Sequence, residues 1–315
     1  MSKNIQFDRI QIELTSKCNF KCLTCKHGFE DYGEHLDDKV CDVVCYDIIP
    51  YSKEIELQGT GESLLSPHFH RVLNTAIQHS CYVILITNAS LLNDDLINKF
   101  ISANMQLIVS LDGANANTFS LHRPIGSFSD IINNLSKIVR CKVNHSCSNF
   151  SLVVNMTVTK LNYREIPQMI ELLSSLGIDY LFASEVRECM PDRTIWDGFR
   201  LDNIKDRAEF DTKIKQYAEL AQTHELGFSF NPYLQEKKLK KKICPSPWKH
   251  LFVKANGDIS VCCELNNYFG NLKTDTIQEI WNNANLNAFR NEMLLGVYNR
   301  HCLNCCLSWG LPYET

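Results

Sequence analysis

The sequence has no long hydrophobic run and no excess of charge of one sign. Its longest apolar stretch, residues 81–86, is far too short to span a bilayer, and no secretory signal opens the chain. The 32 basic and 36 acidic residues give a net charge of −4, which does not indicate binding to nucleic acid or to a membrane surface. We therefore expect a cytoplasmic protein with reduced thiols, and neither nucleic acid nor membrane among its partners.

Cysteine, in contrast, is abundant, with 15 among 315 residues. This is fewer than in short disulfide-rich secreted chains, yet more than packing alone requires. One group with regular spacing, Cys18-x3-Cys22-x2-Cys25, lies near the start, and a second group follows residue 243. Most of the others are predicted to be packing residues, because free cysteine behaves as a small hydrophobe. They are Cys41, Cys45, Cys81, Cys141, Cys147 and Cys189.

Strand-like and helix-like patterns alternate along the first two thirds of the chain. The strand-like runs are residues 9–15, 54–57, 82–87, 107–111, 152–158 and 180–184, and the helical stretches between them include 67–79, 94–103, 129–139 and 163–176. This order predicts parallel βαβ units curled into a partial barrel, with the site at the carboxyl ends of the strands. Asn256-Gly257 predicts a β-hairpin beyond them. We predict a domain boundary near residues 226–235, giving domains 1–230 and 231–315.

The first cysteine group follows the first predicted strand, in a loop short enough for three thiolates to converge. Three ligands are one short of closing a tetrahedral zinc site or a four-iron cubane. The group is therefore either a zinc site completed by His27, an exposed redox cluster, or a [4Fe–4S] cluster with one iron open to a small molecule. In the second group, Cys244 and Cys262 bracket the hairpin and precede Cys302-x2-Cys305. Four thiolates hold zinc or an iron–sulfur cluster equally well.

The first loop resembles that of the radical S-adenosylmethionine (SAM) superfamily, whose hallmark is C-x3-C-x2-C after the first strand of a partial (β/α)6 barrel. Further matching segments follow in order, namely Gln58–Glu62, Ile86–Asn88, Ser110–Gly113 and His122–Phe128. The resemblance implies an open [4Fe–4S] cluster held by the three cysteines, with SAM beside it. Thr24 occupies a position that is bulky and apolar in the family. The residues implied to contact SAM are Phe20, Thr24, Gly59, Thr60, Gly61, Glu62, Asn88, Ser110, Asp112, Arg123 and Asn155.

The C-terminal part resembles the SPASM extension of radical SAM maturases in its shortened "twitch" form. The matching features are Cys244-Pro-Ser-Pro-Trp, the hairpin, Phe269–Leu272 and Ile280-Trp281. The resemblance implies one auxiliary [4Fe–4S] cluster, with Cys263 and Cys306 spare or exchanging with a neighbouring ligand. The implied ligands are Cys244, Cys262, Cys302 and Cys305. The predicted fold is thus α/β, a partial (β/α)6 TIM-like barrel followed by a small iron–sulfur domain of β-hairpin and helix.

The resemblance also implies a reaction. Such an enzyme cleaves SAM reductively to a 5′-deoxyadenosyl radical, which abstracts hydrogen from the substrate, and a flavodoxin or ferredoxin supplies the electron. A fully ligated auxiliary cluster suits electron transfer. We predict dehydrogenation or epimerisation of a small polar substrate such as a sugar or aminocyclitol. The candidate catalytic residues are Cys189, as hydrogen donor, and Glu185, as base.

Two alternatives stay open. Many related enzymes modify ribosomally made peptides by epimerisation, crosslinking or oxidation, and they often carry a leader-binding domain before the barrel. The short segment ahead of the first predicted strand favours a small substrate instead. A non-enzymatic metal-binding regulator would require that the matches at Gly59–Glu62 and Ser110–Gly113 be coincidental.

Overall fold

The computed structural model describes residues 5–25, 33–145, 149–187, 193–201, 207–232, 243–299 and 302. These residues form two compact units. Unit 1 comprises the described residues of Met1–Lys17, Gly33–Ile84 and Glu236–Thr315, and unit 2 comprises those of Cys18–Tyr32 and Leu85–Gln235. Within the described ranges, no helix has the length and hydropathy that crossing a membrane requires.

Unit 1 is built on parallel strands with the C-terminal hairpin at one edge. Its strands are β1 (Phe7–Ile12), β2 (Ser52–Leu57), the first half of β3 (Tyr82–Thr87), β8 (His250–Val253), β9 (Asp258–Ser260) and β10 (Gly270–Asn271). They follow the order β10-β9-β8-β1-β2-β3. Strand β1 pairs in parallel with β2 and β8, whereas β9 is antiparallel to β8 and β10. The helices are α1 (Asp38–Val43), α2 (Phe69–Gln78), α9 (Ser246–Lys249), α10 (Ile277–Asn282) and α11 (Ala284–Leu294).

Unit 2 continues the strand–helix alternation. Its strands are the second half of β3, β4 (Met105–Ser110), β5 (Phe150–Val158), β6 (Tyr180–Glu185) and β7 (Gly227–Asn231). They follow in chain order, and β4–β5, β5–β6 and β6–β7 are parallel pairs. The helices are α3 (Asp94–Ile101), α4 (Ala116–His122), α5 (Phe128–Asn144), α6 (Ile166–Leu176), α7 (Arg193–Phe199) and α8 (Arg207–Thr223). The predicted α/β class is confirmed.

The helices begin and end where local chemistry allows. Asn93 and Asn115 accept hydrogen bonds from Leu96 N–H and Thr118 N–H, at 2.9 and 3.0 Å, and so satisfy donors in the first turns of α3 and α4. Helix α6 ends at Gly177, whose φ of 78° is left-handed. These caps position the strand ends that carry the candidate site.

Burial alternates along the strands as the pleat requires. In β4, Met105, Leu107 and Val109 are buried, whereas Ile108 and Ser110 are half-buried on the opposite face. A face that is incompletely covered by protein leaves room for a ligand, and it carries Ser110 at the carboxyl end of its strand.

Strand β7 was missing from the sequence-based prediction. Its five residues, Gly227–Asn231, are half-buried throughout and pair in parallel with Tyr180–Ser184 of β6. Its sequence, Gly-Phe-Ser-Phe-Asn, alternates as a strand does, but the run is only five residues long and follows closely on α8, so the sequence analysis did not select it. It lies across the predicted boundary at residue 230, and the two predicted domains stay a prediction.

Candidate functional site

The first cysteine group lies in a loop of unit 2 that is held by α4 and the segment after it. Leu23 N–H donates to the carbonyl of His122 at 2.9 Å, and Phe20 N–H donates to Cys18 Sγ at 3.4 Å. Phe20 is buried against Gly126, where an added Cβ would lie 2.6 Å from its ring. The segment 122–128 therefore determines the shape of the loop. The sequence analysis selected the same segment for its resemblance to the superfamily.

The three cysteines of this loop lie within electrostatic range of one another. Burial raises the pKa of Cys22 to about 12, Arg123 opposes that rise, and the thiols of Cys25 and Cys18 add to it. Such a thiol keeps its proton at neutral pH until a metal replaces it. Within the described residues, no three Cys, His, Asp or Glu side chains converge as the ligands of a single ion do. Three neighbouring thiols are the donor set that an open [4Fe–4S] cluster takes, because a cubane binds each thiolate through a different iron.

Behind Cys22 lies a buried ion pair, Asp112–Arg123. Asp112 is fully buried, and its carboxylate accepts from Arg123 Nε and from Thr157 N–H, both at 2.8 Å. Asn162 Nδ2 donates to the Asp112 carbonyl at 2.8 Å. Both members of the pair thus act electrostatically on Cys22, and their predicted contact with SAM stays a prediction.

Asn88, at the end of β3, is tied to the same loop. Its side-chain amide donates to Asn19 Oδ1 at 2.9 Å, and Asn19 Nδ2 donates in turn to Ser90 Oγ at 2.8 Å. The sequence analysis selected Asn88 but not Ser90, because a serine three residues beyond a strand end carries no signal of its own.

Ser110 and Asn155 are register partners in β4 and β5. Both residues are half-buried, and Asn155 Oδ1 is buried without a hydrogen-bond partner in the described part of the chain. An unsatisfied buried acceptor costs about 1–3 kcal/mol. A bound ligand that offers a hydroxyl or amino donor would remove this cost, so the pair fits a polar cofactor such as SAM.

In unit 1, the Gly59–Glu62 segment packs closely on the residues that follow β1. A Cβ on Gly61 would lie 2.3 Å from the Lys17 carbonyl, and one on Gly59 would lie 2.2 Å from Glu13 Cγ. Glu62 N–H also donates to the Lys17 carbonyl at 2.8 Å. The two glycines are therefore required by a close approach between two protein segments.

Three of the four predicted auxiliary ligands lie together in unit 1. Burial raises the pKa of Cys302 to about 11, and the nearby thiols of Cys262 and Cys244 raise it further. The exposed Cys263 is hydrogen-bonded to Cys262. The fourth predicted ligand, Cys305, lies outside the described residues, as do Cys306 and His27.

A short hydrogen-bonded chain, which the sequence analysis missed, leads away from Cys244. The Cys244 thiol donates to Ser246 Oγ at 3.3 Å, and Ser246 Oγ lies 3.0 Å from His250 Nδ1. Burial lowers the pKa of His250 to about 4, so its ring is neutral at pH 7. A ligating thiolate can only accept, so with a cluster bound Ser246 O–H donates to the sulfur and His250 Nδ1–H donates to Ser246.

We expect the substitution Ser246→Ala to lower the reduction potential of the auxiliary cluster. Hydrogen bonds to ligand sulfurs stabilise the reduced cluster, and a difference of about 1.4 kcal/mol between the two oxidation states corresponds to about 59 mV for one electron. A redox titration followed by electron paramagnetic resonance measures the shift. Ser66→Ala, at another buried serine of unit 1, is the control and should leave the potential unchanged. An equal potential in Ser246→Ala and the unmodified protein would contradict the assignment.

Of the two candidate catalytic residues, the structure describes one. Glu185, at the end of β6, is buried, and its two carboxylate oxygens accept from Arg207 at 2.7 and 3.1 Å. A role as base requires this ion pair to open. Cys189 lies outside the described residues, and both roles stay predictions.

Comparison with known proteins places this geometry in a family. Residues 12–173 match the Radical SAM superfamily, and residues 244–306 match an iron–sulfur cluster-binding domain, SPASM. The AdoMet-dependent heme synthase of Methanosarcina barkeri is 24% identical over 86% of this chain and 81% of its own length. The tungsten-containing aldehyde ferredoxin oxidoreductase cofactor-modifying protein of Pyrococcus furiosus is 24% identical over 60% of this chain. That match covers 55% of the relative's own length.

Solved structures agree on the fold. SuiB of Streptococcus suis bound to S-adenosylmethionine superposes with a TM-score of 0.69 at 14% identity, covering 97% of this chain and 72% of SuiB. SuiB bound to its precursor peptide SuiA gives a TM-score of 0.68 at 13% identity, covering 97% and 70%. The predicted partial barrel with a C-terminal iron–sulfur region is confirmed, and SAM and [4Fe–4S] clusters are the cofactors that it holds. The chain therefore belongs to the radical SAM superfamily and carries a SPASM-type iron–sulfur region at its C-terminal end.

Proposed function

We propose that this radical SAM enzyme removes a hydrogen atom from a small polar substrate and completes a dehydrogenation or an epimerisation. The observation that carries the proposal is the cysteine loop of unit 2, which is held at the His122 carbonyl and lies within electrostatic range of the Asp112–Arg123 pair. In this proposal, Cys18, Cys22 and Cys25 hold the open cluster, while Ser110 and Asn155 contact SAM. When bound, these cofactors supply a 5′-deoxyadenosyl radical. The chain's own task is to exclude water and to hold one substrate C–H bond within reach.

The substrate class is proposed from the half-buried face of β1 and β2. Arg9 on β1 forms an ion pair with Glu54 on β2 and lies 3.7 Å from Glu56, and Gln11 follows on the same face. Burial raises the pKa of Glu56, with Arg9 opposing the rise. Alternating cation, amide and carboxylate groups suit a polyhydroxylated or amino-substituted molecule, such as a sugar or aminocyclitol. The auxiliary cluster would accept the second electron of a dehydrogenation.

Peptide modification is the second candidate. It is supported by SuiB, which has the same fold and has been crystallised with a precursor peptide. An oxidation, crosslink or epimerisation of a peptide side chain starts from the same hydrogen abstraction. The two candidates differ only in what occupies the substrate site.

The test uses the anaerobically reconstituted full chain with SAM and a flavodoxin or ferredoxin as electron donor. We expect a deuterated aminocyclitol or sugar to raise 5′-deoxyadenosine formation and to transfer deuterium into it. Stimulation by precursor peptides alone would replace the first candidate with the second. In deuterated water, deuterium in the product indicates epimerisation, whereas a product lighter by two hydrogens indicates dehydrogenation. No SAM cleavage above the enzyme-free reaction would overturn the proposal.

A further inference from the structure

We propose that Glu13 is the positioning residue for SAM binding, and that it joins the Gly59–Gly61 loop to the turn of the C-terminal hairpin. This inference rests on the proposed function in one respect, the role of that loop in binding SAM. Glu13 follows β1 and is only 3% exposed. The sequence analysis passed over it, because a single glutamate at the end of a strand carries no motif.

The Glu13 carboxylate spans two segments of unit 1. Oε1 accepts from Thr60 N–H at 2.8 Å and also from the Thr60 hydroxyl. Oε2 accepts from Ala255 N–H at 3.1 Å. A buried carboxylate is tolerated only when hydrogen bonds compensate for its lost hydration, and these three donors do so.

The contact with Thr60 determines the path of the loop. The Thr60 peptide lies between Gly59 and Gly61, and Glu13 holds it through both the backbone and the side chain. The Glu13 side chain also explains Gly59, because any Cβ there would overlap Glu13 Cγ at 2.2 Å. A loop that is already held in one conformation loses less conformational entropy when it binds a ligand.

The contact with Ala255 extends the same support to the hairpin. Ala255 immediately precedes the Asn256-Gly257 turn, and Glu13 N–H donates to the Val253 carbonyl at 2.8 Å. Gly257 has a φ of 90°, a left-handed backbone that favours glycine and that this turn requires. The main-chain N–H and Oε2 of Glu13 therefore bind the hairpin, whereas Oε1 binds the Gly59–Gly61 loop.

A carboxylate suits this position better than its amide. The three groups that face it are all donors, so the NH₂ of a glutamine would meet a donor at one of them. Glu13→Gln keeps the volume and removes one acceptor. Thr60→Val removes only the hydroxyl donor and keeps the backbone one, so its effect should be smaller.

The test uses the anaerobically reconstituted full chain and measures SAM affinity by calorimetry without reductant, and hydrogen exchange with and without SAM. We expect Glu13→Gln to weaken SAM binding about tenfold and to speed exchange in segments 59–62 and 254–257, with β4 and β5 unchanged. SAM should slow exchange at 254–257 in the unmodified protein but not in the variant. The matched control, Glu171→Gln at an exposed glutamate of α6, should behave as the unmodified protein.

Contrary results bear either on the role of Glu13 or on the role of the Gly59–Gly61 loop, and different variants test the two. Unchanged exchange in Glu13→Gln, faster exchange everywhere, or local loosening without weaker SAM binding would each overturn the positioning role. The role of the loop is tested separately by Gly61→Ala, whose Cβ would overlap the Lys17 carbonyl, against Gly33→Ala, whose Cβ meets open space. Equal SAM affinity in these two variants would overturn the loop assignment in the proposed function, whatever Glu13→Gln shows.

Discussion

The substitution Cys22→Ala should reduce 5′-deoxyadenosine formation to the level of the reaction without enzyme. Cys22 and Cys25 both interact electrostatically with Arg123, and Cys22 also does so with Asp112. A cluster with two protein ligands is not retained. Because SAM cleavage needs that cluster, the whole activity depends on this thiol. Iron content should fall from about eight to about four atoms per chain, since the auxiliary cluster has separate ligands in unit 1.

Two further cysteine variants give this result its meaning. Cys81→Ala removes a buried thiol that donates to the Ser52 carbonyl at 3.2 Å, and it should keep both clusters and the activity. Cys302→Ala should lose the auxiliary cluster and still cleave SAM. Full SAM cleavage by Cys22→Ala, or its loss in Cys81→Ala, would show that the clusters are not divided as proposed.

The substitution Asp112→Asn should destabilise the protein by about 3–5 kcal/mol, the usual cost of leaving one member of a buried ion pair without its partner. Asp112 is fully buried, and Arg123 is largely so. The asparagine keeps the shape but carries no charge to balance the guanidinium. Urea unfolding of the apoprotein, followed by circular dichroism, measures the change in the midpoint and in the free energy of unfolding.

An exposed ion pair of the same unit is the control. Lys137 Nζ lies 3.4 Å from Asp94, whose side chain is 79% exposed. Asp94→Asn should therefore change stability by less than about 1 kcal/mol, as surface pairs do. Replacing both buried partners together, as Asp112→Leu with Arg123→Met, should cost less than Asp112→Asn alone, because no charge is left uncompensated. Similar unfolding free energies for Asp112→Asn and Asp94→Asn would contradict the structural role of the buried pair.

Features that depend on residues close together along the chain were predictable from the sequence. Strand and helix periodicity gave β1 to β6 and four of the helices between them, α2, α3, α5 and α6, since burial on one face imposes a period of two or 3.6 residues. The short helices α1 and α4 were not predicted. The dipeptide Asn256-Gly257 identified the hairpin between β8 and β9. Strand β7 was missed because its alternation, carried by Phe228 and Phe230 alone, is too short to establish a period.

The sequence was enough to propose the cysteine ligands of the candidate site, but it did not reveal the residues that hold them in place. Cysteine spacing selected the cluster loop, because a loop is short enough to bring its own thiols together. It could not show that Asp112 and Arg123 pair with each other, or that both oxygens of Glu185 are taken by Arg207. Such contacts depend on which strand ends and helices meet in space.

The sequence by itself determined the superfamily and the strand–helix order, and it selected the cysteines proposed as cluster ligands, since each of these depends on residue type at short spacing. Only the tertiary structure decided which side chains hold those elements in place. Glu13 and Ala255 are 242 residues apart in the chain, yet they share a hydrogen bond. Burial makes such distant contacts matter, because a buried carboxylate or thiol without its partner carries a desolvation cost that water would otherwise remove.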